Sequence, residues 1–208
     1  MRSRCSSATS RALSEPPLVL ASGSPQRRAL LERLGVPFTV RVTDVEELEQ
    51  GPDPAPLAVE NALRKARAAR REGVREAILG CDTIVVLDGV IYGKPPDVAL
   101  ARSTLTALGG RTHEVISGVA LLRTGEDTPA TARERTAVAR TAVTFKALDE
   151  DMLDAYLATE EWRGRSGGYA IQGAAAQLAL SVDGEVENVV GLPLATLREL
   201  DPGLFGER

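Results

Sequence analysis

The sequence predicts a mixed α/β fold, and three observations predict it. Short runs rich in β-branched residues alternate with segments of helical period, no internal repeat interrupts them, and Asp88-Gly89 joins two apolar runs into a hairpin. Antiparallel pairing of this kind disfavours a purely parallel, doubly wound sheet. At 208 residues and 43% hydrophobic content, the chain can bury one core. It reads as one domain over residues 18–208 behind an extension at 1–17.

Each element has a local reason. Leu18 to Ser22 is a strand, and Ser24 then caps the helix QRRALLERL, with Pro25 at its first position and Gly35 past its end. A short strand near Phe38 to Val42 leads through the acidic DVEELE and the Pro-rich GPDPAP to a helix over about Leu57 to Arg71. In the hairpin GCDTIVVLDGVIYGKP (80–95), Asp-Gly supplies the positive φ angles of a two-residue turn. If Leu87 pairs with Val90, Thr83 faces Lys94, and the Asp82 carboxylate and Lys94 ammonium share one end of the ladder, roughly 5–8 Å apart. A helix near Asp97 to Leu108 and strands around Thr112 to Arg123 and Thr136 to Phe145 follow, the strands flanking a polar connection, TGEDTPATARE. The helix LDEDMLDAYLAT, a Gly-rich segment, a second hairpin at Asp183-Gly184 and a helix from Leu194 complete the chain.

Composition narrows the function. A net charge of −4 and a pI near 5.2 argue against stable nucleic-acid binding, so an anionic ligand must be met by local cations. Cys5 and Cys81 lie too far apart in sequence to suggest a disulfide framework or zinc spacing, which fits a reducing compartment. A single His113 excludes a His-rich metal site, so a metal would be held by oxygen, as magnesium or manganese prefers. No run approaches the ~20 apolar residues of a membrane span, and the chain is expected to be soluble, cytoplasmic and without membrane association. Residues 1–17 are rich in Ser and Arg and superficially match a transit peptide; a disordered extension or an upstream start codon is the preferred reading.

Several stretches can carry chemistry, each with a plain alternative. ASGSPQRR sets Ser22 and Ser24 beside the free amides of a helix start, an anion site or mere capping, with Arg27 able to grip phosphate. Lys65 follows Asn61 by four positions on one helix face, and Arg67, Arg70 and Arg71 read as a solvated face. Glu46 and Glu47 read as an acidic loop on the plain alternative; Asp82 and Lys94 are a site or a strand-end ion pair. GGYAIQG is a plain turn or a ligand loop in which Gln172 donates and accepts through one amide.

Taken together and in order, LASGSPQRRALLERLGVPF, the Lys65 helix, GCDTIVVLDGVIYGKP, GRTHEVISGVAL, AYLATEEW, GGYAIQG and NVVGLPL resemble the Maf proteins, nucleoside triphosphate pyrophosphatases once named for septum formation. The resemblance spans about residues 18–198. It implies an elongated mixed β-sheet with flanking helices and two lobes around a nucleotide cleft, similar to the inosine-triphosphate pyrophosphatases, and a homodimer. It implies hydrolysis of dTTP or UTP, with modified pyrimidine nucleotides as further substrates, to monophosphate and pyrophosphate by metal-assisted water attack on the α-phosphorus. Asp82 would be the proton acceptor or a metal ligand. Lys94 and Lys65 would act on the phosphates, and Ser22, Ser24 and Arg27 would cradle them. Glu47 and Glu46 would complete the site for Mg2+ or Mn2+, and Gln172 with Thr83 would read the base. Two departures bear on substrate range: Gln26 stands where the family carries arginine, with Arg28 as a partial substitute, and Gly164-Arg165 replace an Asp-Lys pair. A nucleotide-binding regulator of septation with little catalysis is the alternative, and a general phosphatase a weaker one.

Overall fold

A computed structural model describes residues 17–51, 53–124 and 133–205. The expected extension, except Pro17, and most of the connection TGEDTPATARE lie outside the described residues. Strand β1 (Leu18–Leu20) runs into helix α1 (Pro25–Arg33), where the Ser24 hydroxyl accepts from the Arg27 amide and Pro25 occupies the first turn. Strand β2 (Phe38–Val40) follows. Helix α2 (Pro54–Ala68) begins earlier than the sequence suggests, because Asp53 caps it through the Ala55 amide. Strands β3 (Ala77–Leu87) and β4 (Val90–Tyr92) form the expected hairpin, with Leu87 opposite Val90 and with φ 51° at Asp88 and 77° at Gly89. Asp97 caps α3 (Val98–Leu108) and Asp149 caps α4 (Glu150–Ala158); the long strands β5 (Thr112–Arg123) and β6 (Arg133–Phe145) lie between them. Strand β7 (Ala179–Asp183) and helices α5 (Val186–Val190) and α6 (Leu194–Leu200) follow.

The expected second hairpin at Asp183-Gly184 does not form. Strand β7 pairs back with β6, Val182 opposite Val143, and the chain after Gly184 enters α5. The buried Asn188 draws that segment onto the sheet by donating to the Val115 carbonyl and the Thr141 hydroxyl. A turn dipeptide sets chain reversal, not the partner of the strand before it.

The mixed α/β sheet has seven strands in the order β2-β1-β3-β5-β6-β7, with β4 on β3; only the β1 pairings are parallel. Side chains alternate along β3 between two faces. Ile78 packs with Ala62 and Ala66 of α2, whereas Leu79 and Cys81 pack with Leu30, Leu31 and Leu197 on the opposite face. Helix α2 comes very close to the sheet. A Cβ at Gly80 would lie 2.1 Å from the Ala62 carbonyl oxygen, and one at Gly118 would lie 2.3 Å from the Ala58 carbonyl carbon. Further along the second face, Val85, Val115, Phe145, Trp162 and Tyr169 form another apolar cluster with α3 and α4. Each fully buried large apolar side chain contributes roughly 1.5–3 kcal/mol, so these clusters hold the sheet in place.

They can do so despite a break in it. One edge of β3 pairs with β5 from Ala77 to Val86. Its other edge pairs with β1 only over Ala77–Leu79 and with β4 only over Val85–Leu87. Residues 80–84 face a gap between the two short strands. The Ser166 hydroxyl bonds the Thr83 carbonyl at 2.7 Å, and the Lys65 ammonium lies 3.5 Å from the Cys81 carbonyl. These contacts spare the desolvation cost of about 1–3 kcal/mol for each orphaned group.

Candidate active site

The gap opens into a cavity of about 620 Å³, inside the range of roughly 300–1,000 Å³ usual for small-molecule sites. Asp82 and Thr83 reach it from the unpaired stretch of β3, Ser22 to Arg27 from the end of β1, and Lys94 from beyond β4. Glu47, Lys65 and Gln172 complete the predicted residues that line it.

Asp82 does not pair with Lys94. The ladder ends at Tyr92, and the Asp82 carboxylate, 4% exposed, turns to α2, where Lys65 Nζ lies 2.6 Å from Oδ1 and Asn61 Nδ2 donates to Oδ2 at 3.0 Å. Lys65 Nζ also lies 2.8 Å from Glu47 Oε1, and Lys94 Nζ lies 3.2 Å from Glu47 Oε2. Two carboxylates thus converge on one ammonium, with a second ammonium at the rim. Burial would raise the Glu47 pKa, but hydrogen bonding and charge from Lys65, helped by Lys94, hold this carboxyl below the usual carboxylate range.

Glu46 is not part of this cluster. Exposure alternates from Arg41 to Glu47, so Val45 and Glu47 turn inward while Glu46 is exposed and outside the cavity lining. The expected set of three carboxylates is therefore reduced to Asp82 and Glu47. Among the described residues no group of three or more His, Cys, Asp or Glu gathers closely enough to hold a metal alone. The donor chemistry still suits magnesium or manganese: two hard carboxylates already share one cationic centre, and such ions complete their shells with water and phosphate oxygens.

The loop leaving β1 sets two hydroxyls beside the free amides of a helix start, a geometry suited to an anion. Ser22 Oγ accepts from the Ser24 amide at 3.2 Å, and Ser24 Oγ donates to Gln26 Oε1 at 3.0 Å. Arg27 spreads its guanidinium over Ser22 Oγ at 3.1 Å, Thr83 Oγ1 at 3.2 Å and the Gly191 carbonyl at 2.7 Å. It thereby ties α1 to β3 and to the turn after α5, and sets a positive charge beside the two hydroxyls while its donors serve the protein. Arg28 does not substitute at Gln26: its side chain is 63% exposed and pairs with Glu32. Thr83 is held by Arg27 and by Ser117 Oγ at 2.8 Å, on the sheet face opposite Asp82.

Gln172 is exposed at the mouth, on a loop with several anchors. The Gly167 amide bonds the Gly93 carbonyl, the Tyr156 hydroxyl accepts from the Ala170 amide, and the Tyr169 hydroxyl meets His113 Nε2 at 2.9 Å. His113 is 1% exposed beside Phe145 and Tyr169, and burial lowers its pKa to about 4. It anchors this loop and has no place in a nucleophilic triad. Arg165 and Gly164, the second departure, line the cavity here; Arg165 donates to the Glu161 carbonyl.

Sequence reasoning missed Asn61 and Glu161. Asn61 is 2% exposed and bridges Asp82 to Leu48; the signal was its spacing of four from Lys65. Glu161 lines the cavity, accepts from the Ala174 amide at 2.8 Å and fills the space where a Cβ on Gly173 would sit. Its position beside Gln172 has no signature in local sequence.

A dTTP/UTP pyrophosphatase of Moorella thermoacetica is 44% identical over 184 residues, covering 88% of this chain and 92% of its own. One of Symbiobacterium thermophilum is 45% identical over 178 residues, 85% and 88% of the two chains. Solved structures of a HAM1 protein from Coxiella burnetii (TM-score 0.41, 22% identity, 62% of this chain and 73% of that one) and of Staphylococcus aureus Ham1 (TM-score 0.38, 15% identity, 62% and 72%) are more distant matches. The sequence model described as Maf-like protein matches residues 17–200, nearly all of the described chain, and the chain belongs to the Maf family.

Proposed function

We propose that this chain hydrolyses dTTP and UTP to the monophosphate and pyrophosphate. The observation that carries the proposal is the convergence of Asp82 and Glu47 on Lys65, inside a nucleotide-sized cavity walled by the Ser22–Arg27 helix start. The names of the relatives, dTTP/UTP pyrophosphatases, supply the substrate class.

In this reading Asp82, oriented by Lys65 and Asn61, takes the proton of the attacking water. The new bond forms between that oxygen and the α-phosphorus, and the bond from the α-phosphorus to the bridging oxygen breaks, so pyrophosphate leaves. Asp82 and Glu47 would hold a magnesium or manganese ion, which when bound neutralises phosphate charge and polarises the centre under attack. Lys94 and Lys65 exchange part of their carboxylate pairing for phosphate oxygens. Ser22, Ser24, Gln26 and the amides at the start of α1 hold the triphosphate tail, where the helix dipole favours anions. Gln172, on its anchored loop, offers a donor and an acceptor to the pyrimidine edge. A homodimer working in the cytoplasm belongs to the same proposal, and light scattering on the purified protein tests the dimer.

The decisive experiment is product analysis with a panel of nucleoside triphosphates and magnesium or manganese, comparing wild type with Asp82→Asn. Pyrophosphate and monophosphate from dTTP or UTP, lost in the variant, is the expected result. Orthophosphate as the product would mark a general phosphatase. Nucleotide binding without pyrophosphate release would replace the proposal with a binding regulator.

A further inference from the structure

We infer that Asn61 is a positioning residue, whose one amide holds the Asp82 carboxylate and the chain segment bearing Glu47 in a single fixed relation. For its rate readout this rests on the pyrophosphatase reading above. Residues 41–51, which carry Glu47, form neither helix nor strand. Arg41 fixes one end of the segment through Glu76 and the Leu20 carbonyl and Leu48 packs on the cluster that includes Leu57 and Ile84, while near the cavity polar side chains reach it from α2 and from the end of the hairpin. Lys65 and Lys94 do so through charge, at Glu47. Asn61 does so through backbone, at the next residue: its Oδ1 accepts from the Leu48 amide at 2.8 Å and its Nδ2 donates to the Leu48 carbonyl at 3.0 Å. The second Nδ2 proton goes to Asp82 Oδ2 at 3.0 Å.

Three features make this a device for positioning. The amide cannot flip, since the Leu48 N–H requires an acceptor and the Leu48 carbonyl a donor, so the remaining N–H must face Asp82. The residue is 2% exposed, and its short side chain is close-packed against β3 where Gly80 lets α2 approach. Most important, it keeps its partners when the others change. A triphosphate entering the cavity competes for both lysines, and their hold on Glu47 weakens at the moment the two carboxylates must stay together. Asn61 is outside the residues that line the cavity, so an entering phosphate need not displace its bonds. Loss of its contacts lets Glu47 drift relative to Asp82, and a displacement of about 1 Å in such a site costs on the order of 100-fold in rate.

The test uses Asn61→Ala and the isosteric Asn61→Asp, with kcat and KM for dTTP or UTP, melting curves, and hydrogen exchange at the Leu48 amide. Asn61→Asp preserves volume and the acceptor for the Leu48 amide but removes both donors. The expected result is a fall in kcat of about 10- to 100-fold in both variants, with KM changed less than about threefold, and faster Leu48 exchange in Asn61→Ala. Asn61→Asp close to wild type, with only Asn61→Ala impaired, would mean that the residue merely fills space. KM rising in step with falling kcat/KM would mean that it binds substrate, and either result overturns the inference. Unchanged Leu48 exchange in Asn61→Ala overturns it regardless of rates. If Asn61→Asp fails to fold, the split between kcat and KM in Asn61→Ala and the Leu48 exchange decide. If the wild type releases no pyrophosphate, the functional proposal alone has failed, and Leu48 exchange still decides the role of Asn61.

Discussion

Removing Lys65 exposes how much the cavity floor depends on one ammonium. In Lys65→Met an unbranched chain remains on α2, but Asp82, whose side chain is 5% exposed, keeps only its hydrogen bond from Asn61. Glu47 is 37% exposed and keeps Lys94 and water. Breaking a buried pair from one side costs about 3–5 kcal/mol; because Asp82 opens on a cavity and keeps one donor, the lower end, about 3 kcal/mol, applies. In Asp82→Asn the new amide faces two donors, Lys65 and Asn61, and can accept from only one, a cost of about 1–2 kcal/mol. The double variant strands no buried charge at position 82, so its cost should fall short of the summed single costs by about 2 kcal/mol. For a domain of this size about 1 kcal/mol moves the melting temperature by 2–4 °C, which places Lys65→Met roughly 6–12 °C below wild type. Urea denaturation of the four proteins closes the cycle. Additivity within about 0.5 kcal/mol would refute the coupling and, with it, the view that Lys65 neutralises the carboxylate pair.

Three other outcomes follow from the structure. His113 titrates near 4 when folded and near 6.5 when unfolded, so the unfolded chain binds the extra proton and stability should fall by up to roughly 3 kcal/mol from pH 6.5 to 4; urea midpoints at pH 7 and 4.5 should show this slope flattened in His113→Gln. Glu76, only 8% exposed at its side chain, is held below the usual carboxylate range by the Arg41 hydrogen bond, and its stabilisation is present above that range and lost as pH falls through it. Glu76→Gln should therefore cost about 3 kcal/mol at pH 7, and its gap from wild type should narrow at pH 3. Gly118→Ala should cost about 3 kcal/mol and lower pyrophosphate release, since its Cβ would meet the Ala58 carbonyl carbon at 2.3 Å and push away the helix that carries Asn61 and Lys65; a melting temperature equal to wild type would contradict the close approach.

Local signals were legible wherever the chemistry is local. Ser24-Pro25, Asp97 and Asp149 announce helix starts because a cap and its amide are at most three residues apart, and Asp88-Gly89 announces its turn because two positive φ values suffice. The Ser-x-Ser-Pro helix start, the hairpin and the Gly-rich loop could be singled out for the same reason. What each would touch could not. Ladder arithmetic set Thr83 opposite Lys94 with Asp82 beside them, yet the strand stops short and the partner of Asp82 is Lys65, 17 residues away on a helix. Nothing in DVEELE says that Glu47 turns inward and Glu46 outward, nor that Leu48 is held by Asn61.

By itself, then, the sequence determined the fold class, most element boundaries, the supply of oxygen ligands and cations, and the resemblance to the Maf family. The tertiary structure alone decided that β1 and β4 both stop short on one edge of β3, leaving the gap that becomes the cavity, and that α2 lies close enough over Gly80 and Gly118 to bring Asn61 and Lys65 to Asp82. The physical reason is range. Caps and turns are settled by bonds within a few residues, whereas the meeting of charges from different elements depends on how glycines, alanines and apolar clusters far apart in sequence let helix and sheet pack.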